Sequence, residues 1–234
     1  MNTVSEHRFD SIALLQEALY QWSLGTLQQA LARSGQVSVL LSGGRTPLPF
    51  YARLAEAPLP WSRINMALCD ERWISADMED SNEHAIRHVF AGNPKALQQF
   101  IAMKTPDASA RVAVDDCNQR YRQLPWPPAL TVLGMGLDGH TASLFPGATG
   151  IEYALREPTF CTAIEAIPSP VTGACSERMT LTLWALLQSR HSALLFTGDD
   201  KWRVYQEARE REDAQLPVSL LLHRTTALDV FWCP

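Results

Sequence analysis

The sequence predicts an α/β protein with a mostly parallel sheet covered by helices on both faces. Two observations carry that prediction. Short apolar runs of strand length alternate with helix-length segments along the whole chain, the pattern that builds parallel sheets with helices on each side. No internal repeat, low-complexity tract or long linker interrupts the alternation across the 234 residues. A chain of this length can bury about 70–75% of the surface that its unfolded form exposes, so a substantial core is available.

Taken in order, Asp10 is a candidate N-cap for a helix whose face carries Ile12, Leu15, Leu19 and Trp22. The helix is expected to pause at Gly25, resume through Leu27 and Leu31, and stop at Ser34-Gly35. Val37–Leu41 is an apolar, β-branched run and reads as a buried strand. It leads into Ser42-Gly43-Gly44-Arg45-Thr46-Pro47, where Thr46 suits an N-cap and Pro47 a first helical position. Residues 64–69 read as a second strand, followed by Asp70-Glu71-Arg72-Trp73. Asp80-Ser81-Asn82-Glu83 opens a helix running to Phe90, and 99–103 reads as a strand. A helix over 115–124 closes at Pro125-Trp126-Pro127-Pro128, and a strand over 129–133 follows. Within 151–173 only 160–166 has strand character, and Glu177-Arg178-Met179-Thr180 leads into a helix over 181–188. Ser192–Thr197 is a strand, and Gly198-Asp199-Asp200-Lys201 starts a helix to about Glu210. Residues 217–222 fit no single element type, and 227–232 form a last strand.

Composition narrows the function. Hydrophobic residues make up 46% and charged residues 19%, with a formal net charge of −5, which argues against a nucleic-acid binder. A few local cations can still bind a small anion. The five cysteines are widely spaced with no C-x-x-C pair, as expected of reduced, mostly buried thiols in a cytosolic protein. Residues 1–10 lack the apolar core and basic cluster of a signal peptide, and no apolar run is long enough to span a membrane.

Polar motifs follow four of the expected strands: 42–46, 70–72, 134–140 and 198–201. In a parallel sheet all four emerge at one carboxyl edge, where open α/β sheets bind ligands. Ser42-Gly43-Gly44 before a helix is either a tight turn or an anion cradle. Arg45 and Lys201 each put a cation at a helix start, against the macrodipole at a cost of about 0.3–1 kcal/mol. A phosphate between them would account for both, while Asp199 and Asp200 offer Lys201 a plainer neutralisation. Gly134, Gly136 and Gly139 spell G-x-G-x-x-G, but Pro146-Gly147 stops the sustained helix that a dinucleotide fingerprint needs. Asp138 and His140 are either turn residues or an acid–base pair, the Asp holding the useful tautomer of the His. His84 and His88 stand four apart on a helix without a further ligand and read as surface residues, so no metal site is expected.

Ser42-Gly43-Gly44, Asp70-Glu71-Arg72, Ser81-Asn82, the run from Gly134-Met135-Gly136-Leu137-Asp138-Gly139-His140 to Leu144-Phe145-Pro146-Gly147, Arg178-Met179-Thr180-Leu181-Thr182, and Gly198 with Lys201 together resemble the 6-phosphogluconolactonase family. The resemblance spans residues 42–201 and is most specific at the glycine–Asp–His run. The related glucosamine-6-phosphate deaminases have Asn-Glu-Pro where this chain has Leu144-Phe145-Pro146, and usually an aromatic residue at the position of Arg72.

The resemblance implies a single three-layer α/β/α domain over 1–234 with a Rossmann-like sheet and no required cofactor. It implies hydrolysis of 6-phosphoglucono-1,5-lactone, the second step of the oxidative pentose phosphate pathway, in the cytoplasm, by a monomer or homodimer. The alternatives are a deaminase-like enzyme and a non-catalytic sugar-phosphate binder. Carried over by position, His140 is the general base supported by Asp138, with Arg72 near the substrate. The phosphate falls to Ser42, Gly43, Gly44, Arg178 and Lys201, and Asp70 joins the substrate-binding set. Arg45 replaces the small hydroxyl residue of many relatives and either adds a phosphate contact or faces solvent. The proline cluster usual before the Arg-x-Thr segment is absent, the nearest prolines being Pro168 and Pro170.

Overall fold

The run Val37–Leu41 forms a strand buried at every position, at the centre of a wholly parallel sheet. The computed structural model describes residues 3–169, 172 and 175–234; Pro170, Val171, Gly173 and Ala174, in the stretch of sequence before Arg178, lie outside the described residues. The elements are β1 (Thr3–Arg8), α1 (Ile12–Arg33), β2 (Val37–Leu41), α2 (Leu48–Ala55), β3 (Ile64–Leu68), β4 (Asp70–Arg72), α3 (Asn82–Val89), α4 (Pro94–Leu97), β5 (Phe100–Ile101) and α5 (Val114–Arg122). They continue with β6 (Leu130–Gly134), α6 (Ile151–Arg156), β7 (Cys161–Glu165), β8 (Glu177–Leu181), α7 (Leu183–Leu187), β9 (Ser192–Thr197), α8 (Asp199–Glu210), α9 (Pro217–Arg224) and β10 (Ala227–Cys233).

Seven strands pair in the order β1-β10-β9-β6-β2-β3-β5, each neighbouring pair parallel. From β2 the chain moves outward through β3 to β5; from β6 it moves the other way through β9 to β10. The order therefore reverses between β2 and β6, the position at which an open α/β sheet forms its ligand crevice. A second, antiparallel sheet of β4, β8 and β7 is appended. Helix α1 packs on α2 and α2 on α3, whereas α8 packs on α9, α9 on α7 and α7 on α6. Right-handed crossovers put these two groups on opposite faces of the main sheet. The buried apolar residues form one cluster. Among the described residues no helix is long and apolar enough to cross a membrane.

Several expectations need correction. The N-cap of α1 is Ser11, whose Oγ accepts from the Leu14 N–H, rather than Asp10. The helix does not pause at Gly25: Leu19, Ser23, Leu27 and Leu31 are buried in one continuous stripe, which offsets the roughly 1 kcal/mol that glycine costs a helix. Thr46 is not a cap; Pro47, already in the right-handed helical region, precedes α2, which has no side-chain cap. The expected strand at 99–103 contracts to Phe100–Ile101. Residues 177–181 form β8 rather than a lead into a helix, and the helix after it is shorter, Leu183–Leu187, capped by Thr182. The undecided 217–222 segment is helical, in α9. All five cysteines are free; Cys175 is half-buried and the others are buried.

One buried hydroxyl carries β3 up to the edge where the polar motifs lie. β5 pairs with β3 only at Met66 and Ala67. At Leu68, one residue further, the buried Tyr121 Oη takes over: it accepts from the Leu68 N–H at 3.1 Å and donates to the Leu68 carbonyl at 2.8 Å. Tyr121→Phe should therefore leave a backbone donor and acceptor buried without partners, at a cost of about 1–3 kcal/mol. Urea unfolding should show a lower midpoint at unchanged m-value; an unshifted midpoint would mean that Tyr121 does not hold this edge.

Candidate active site

The loops after β2, β6 and β9, together with Asp70 just beyond β3, meet at the carboxyl edge around the β2–β6 reversal. No helix opens after β6. The chain instead folds back on itself, with Gly136 N–H donating to the His140 carbonyl at 3.0 Å and Gly139 N–H to the Gly136 carbonyl at 3.1 Å. This removes the dinucleotide fingerprint, since no helix N-terminus is left to receive a pyrophosphate. The glycine at 136 serves packing. A Cβ there would stand 2.2 Å from His140 Nδ1 and 2.6 Å from Asp138 Oδ1.

Into that space the loop sets an acid and an imidazole. His140 Nδ1 lies 2.5 Å from Asp138 Oδ1, which also accepts from the His140 N–H at 3.2 Å. Burial works to raise the Asp138 pKa, but the His140 ring and N–H outweigh it and hold the carboxyl below its ordinary value. Because an ionised carboxylate only accepts hydrogen bonds, this contact assigns the proton to Nδ1 and leaves the Nε2 lone pair free. The His140 ring packs on Phe145 with centroids 4.4 Å apart. On the far side of the loop, Val218 N–H donates to the Gly139 carbonyl at 2.9 Å, tying it to α9.

The β2 loop is held from below. Asn82, at the start of α3, approaches Gly43 so closely that a Cβ there would stand 1.8 Å from Asn82 Oδ1. Asn82 Nδ2 donates to the Asp70 carbonyl at 2.8 Å, and Ser143 Oγ donates to Asp70 Oδ2 at 2.5 Å. Asp70 thus joins the β3 end, α3 and the histidine loop, and its carboxylate is partly used in doing so. The Gly43 and Gly44 N–H groups have no partner among the described residues. The buried Ser42 Oγ likewise lacks a nitrogen or oxygen partner.

Around these groups stand cations that form no ion pair among the described residues. Arg72 and Arg178 are directly opposite each other in the β4–β8 pairing, which puts their Cβ atoms about 4.5–5.5 Å apart and costs stability when nothing neutralises them. Arg178 is buried; Nη2 donates to the Thr172 carbonyl at 2.5 Å, while Nε and Nη1 have no partner. Burial and then the neighbouring Arg72 push its pKa down. Arg72 donates through Nη1 to the Asp80 carbonyl. Lys201 is half-buried with its pKa lowered by burial, against the pull of Asp138. Its expected neutralisers do not serve it: Asp200 pairs with Arg203 at 2.8 Å. Arg45 is exposed and makes no hydrogen bond or ion pair among the described residues, so the geometry does not join it to the cluster.

Sequence reasoning singled out the candidate acid, imidazole, glycines and cations, but did not pair Ser143 with Asp70, Phe145 with His140 or Val218 with the Gly139 carbonyl. Asn82 was visible as part of a helix start and of the Ser81-Asn82 pair in the family resemblance, but not as the support under Gly43. The small residue required at 43 was its one signal. Among the described residues no three His, Cys, Asp or Glu side chains gather so as to hold a metal ion.

Comparison with known proteins gives the family. A family model described as glucosamine-6-phosphate isomerases/6-phosphogluconolactonase matches residues 10–232. A 6-phosphogluconolactonase of Xylella fastidiosa is 38% identical over 209 residues, covering 88% of this chain and 87% of that one. One of Pseudomonas aeruginosa is 35% identical over 211 residues, covering 90% and 87%. The crystal structure of a 6-phosphogluconolactonase from Shewanella baltica superposes with a TM-score of 0.92 at 33% identity, covering 99% of this chain and 98% of that one.

Beneath the two arginines lies the fully buried Glu71. Its carboxylate accepts from the N–H groups of Arg72, Asn82 and Glu83 at 2.7, 2.8 and 2.7 Å and from Ser81 Oγ at 2.9 Å. Burial nevertheless pushes its pKa up to about 7, against those four donors. A group that binds its proton more tightly folded than unfolded adds stability at low pH and loses that contribution as pH rises from the ordinary carboxylate range to the folded value. The difference in unfolding free energy between wild type and Glu71→Gln should therefore change with pH between about 4.5 and about 7, the wild type losing ground as pH rises. A difference that stays flat across that window would place the folded pKa of Glu71 at its unfolded value.

Proposed function

The chain belongs to the glucosamine-6-phosphate isomerase/6-phosphogluconolactonase family, and we propose that it hydrolyses 6-phospho-D-glucono-1,5-lactone to 6-phospho-D-gluconate, the lactone step of the oxidative pentose phosphate pathway. One observation carries the reading. The Asp138–His140 pair stands at the same sheet edge as Arg72, Arg178 and Lys201, three cations that form no ion pair among the described residues. We infer too that residues 1–234 act as one domain, as the single apolar cluster supports.

The phosphate is held by the Gly43 and Gly44 amides, Ser42, Arg178 and Lys201. Backbone donors at the uncapped start of α2 and side-chain cations supply what a dianion needs. Bound there, the lactone carbonyl lies towards His140. Nε2 takes a proton from water, whose oxygen attacks the carbonyl carbon. Asp138 keeps the proton on Nδ1 and stabilises the imidazolium that results. The oxyanion is met by Arg72 or by backbone N–H groups, each donor worth about 2.7–4 kcal/mol in comparable sites. As the tetrahedral species collapses, Nε2–H returns its proton to the departing ring oxygen.

A deaminase role lacks support at one position. Where those enzymes have an acid, Phe145 is buried against the His140 ring.

His140→Ala should lower kcat about 10²–10⁴-fold, corrected for spontaneous lactone opening, while product still binds. Near-normal turnover would remove His140 from the mechanism, and absence of lactonase activity in the wild type would leave only a sugar-phosphate binder. Lys201→Ala should raise KM roughly tenfold or more for the phosphorylated lactone and leave its unphosphorylated analogue little changed. Equal effects on both substrates would overturn the phosphate assignment.

A further inference from the structure

At the opposite, amino edge of the main sheet a second cavity opens, of about 250 Å³. It lies between the end of α1 and the starts of β2, β6 and β9, at the other end of the strands from which the loops described above emerge. Arg33, Arg190, His191, Gln29, Gln36 and Trp126 are among its walls, and no acidic residue lines it. In a chain of net charge −5, an acid-free cavity with two guanidinium groups is a local inversion of sign.

The plain role for an arginine at this place would be to serve the free carbonyls at the end of α1. Another residue already does that. Arg63 donates to the carbonyls of Leu31, Ser34 and Gly35 at 2.9, 2.9 and 2.7 Å. The side chains of Arg33 and Arg190 make no hydrogen bond or ion pair among the described residues, and the Gln29 and Gln36 amides make none either. Trp126 needs nothing from a ligand, since its Nε1 donates to the Tyr121 carbonyl at 2.7 Å. It offers an apolar wall instead.

We propose that this cavity is a second anion site, taking a small phosphate-bearing molecule between Arg33 and Arg190 with its carbon part against Trp126. The site is independent of the lactonase reading, because none of its residues belongs to the carboxyl edge.

The test is titration of ¹⁵N-labelled full-length protein with inorganic phosphate, with glucose 6-phosphate, and with sodium chloride at matched ionic strength. The reporters are the Trp126 indole N–H and the His191 ring, which a phosphate at the carboxyl edge would not touch. The expected result is a saturable shift with both phosphate probes and none with chloride. Arg33→Gln/Arg190→Gln should weaken it about tenfold or more, the cost of losing one charge-assisted hydrogen bond, with lactone turnover and Tm unchanged. Tighter binding of glucose 6-phosphate than of phosphate would mark a phosphorylated metabolite as the occupant, and equal binding the free ion. A shift that chloride reproduces, or one that persists in the double variant and in Arg190→Glu, overturns the proposal.

Discussion

A single rung of the main sheet governs the placement of everything else at the carboxyl edge. Ser42 N–H donates to the Val132 carbonyl at 3.1 Å, continuing the pairing of β2 with β6 one residue past the end of β2. The chain fans out to one side from β2 and to the other from β6, so the loops leaving these two strands have no helix between them. The glycine loop of one and the Asp–His loop of the other are neighbours for that reason. Neither motif would be a site alone: the first offers free amides without a reacting group, the second a proton carrier without a means of holding an anion.

The same edge concentrates unfavourable terms that the rest of the fold must offset. Arg72 opposite Arg178 is a like-charge pair across two strands, and Arg178 is buried with two nitrogens unpartnered. Glu71 is buried beside them with its pKa pushed up to about 7. Its four donors come from the start of α3 and from Arg72 itself, so the carboxylate ties β4 to the helix and keeps Arg72 facing its partner. An anion bound between the arginines would relieve the repulsion. The antiparallel sheet matters here as the frame that sets two guanidinium groups side by side.

What could be read from the chain divides along the same physical line. β2, β3, β6 and β9 were legible because strands buried on both faces are continuous apolar runs. β1, with Glu6, His7 and Arg8 in its six residues, is an edge strand and carries no such signal. β4 is three polar residues whose strand character comes only from pairing with β8. Asp138 and His140 were legible because they lie two apart in one glycine-rich loop. Ser143 on Asp70, and Asn82 under Gly43, bridge 73 and 39 residues of chain respectively (143 − 70; 82 − 43), and nothing local announces them. Arg45 is the converse case: its place at a helix start marked it as unusual, and it stands exposed with no hydrogen bond or ion pair among the described residues.

The environment of His140 also bears on which of the family's two chemistries the site suits. Opening a lactone by water needs one proton carried a short way, from the attacking water to the departing ring oxygen. One imidazole can do both halves, provided its second nitrogen is held and its face is shielded. Asp138 holds Nδ1 and Phe145 packs against the ring, leaving Nε2 uncommitted. An isomerising deamination must move a proton between two carbons and also protonate a leaving amine, so it needs a second acid–base group within reach. The buried aromatic ring at 145 supplies none. On the proposed reading, a single imidazole shuttle set among cations is what the hydrolysis asks for, and position 145 offers no acid–base group beside it.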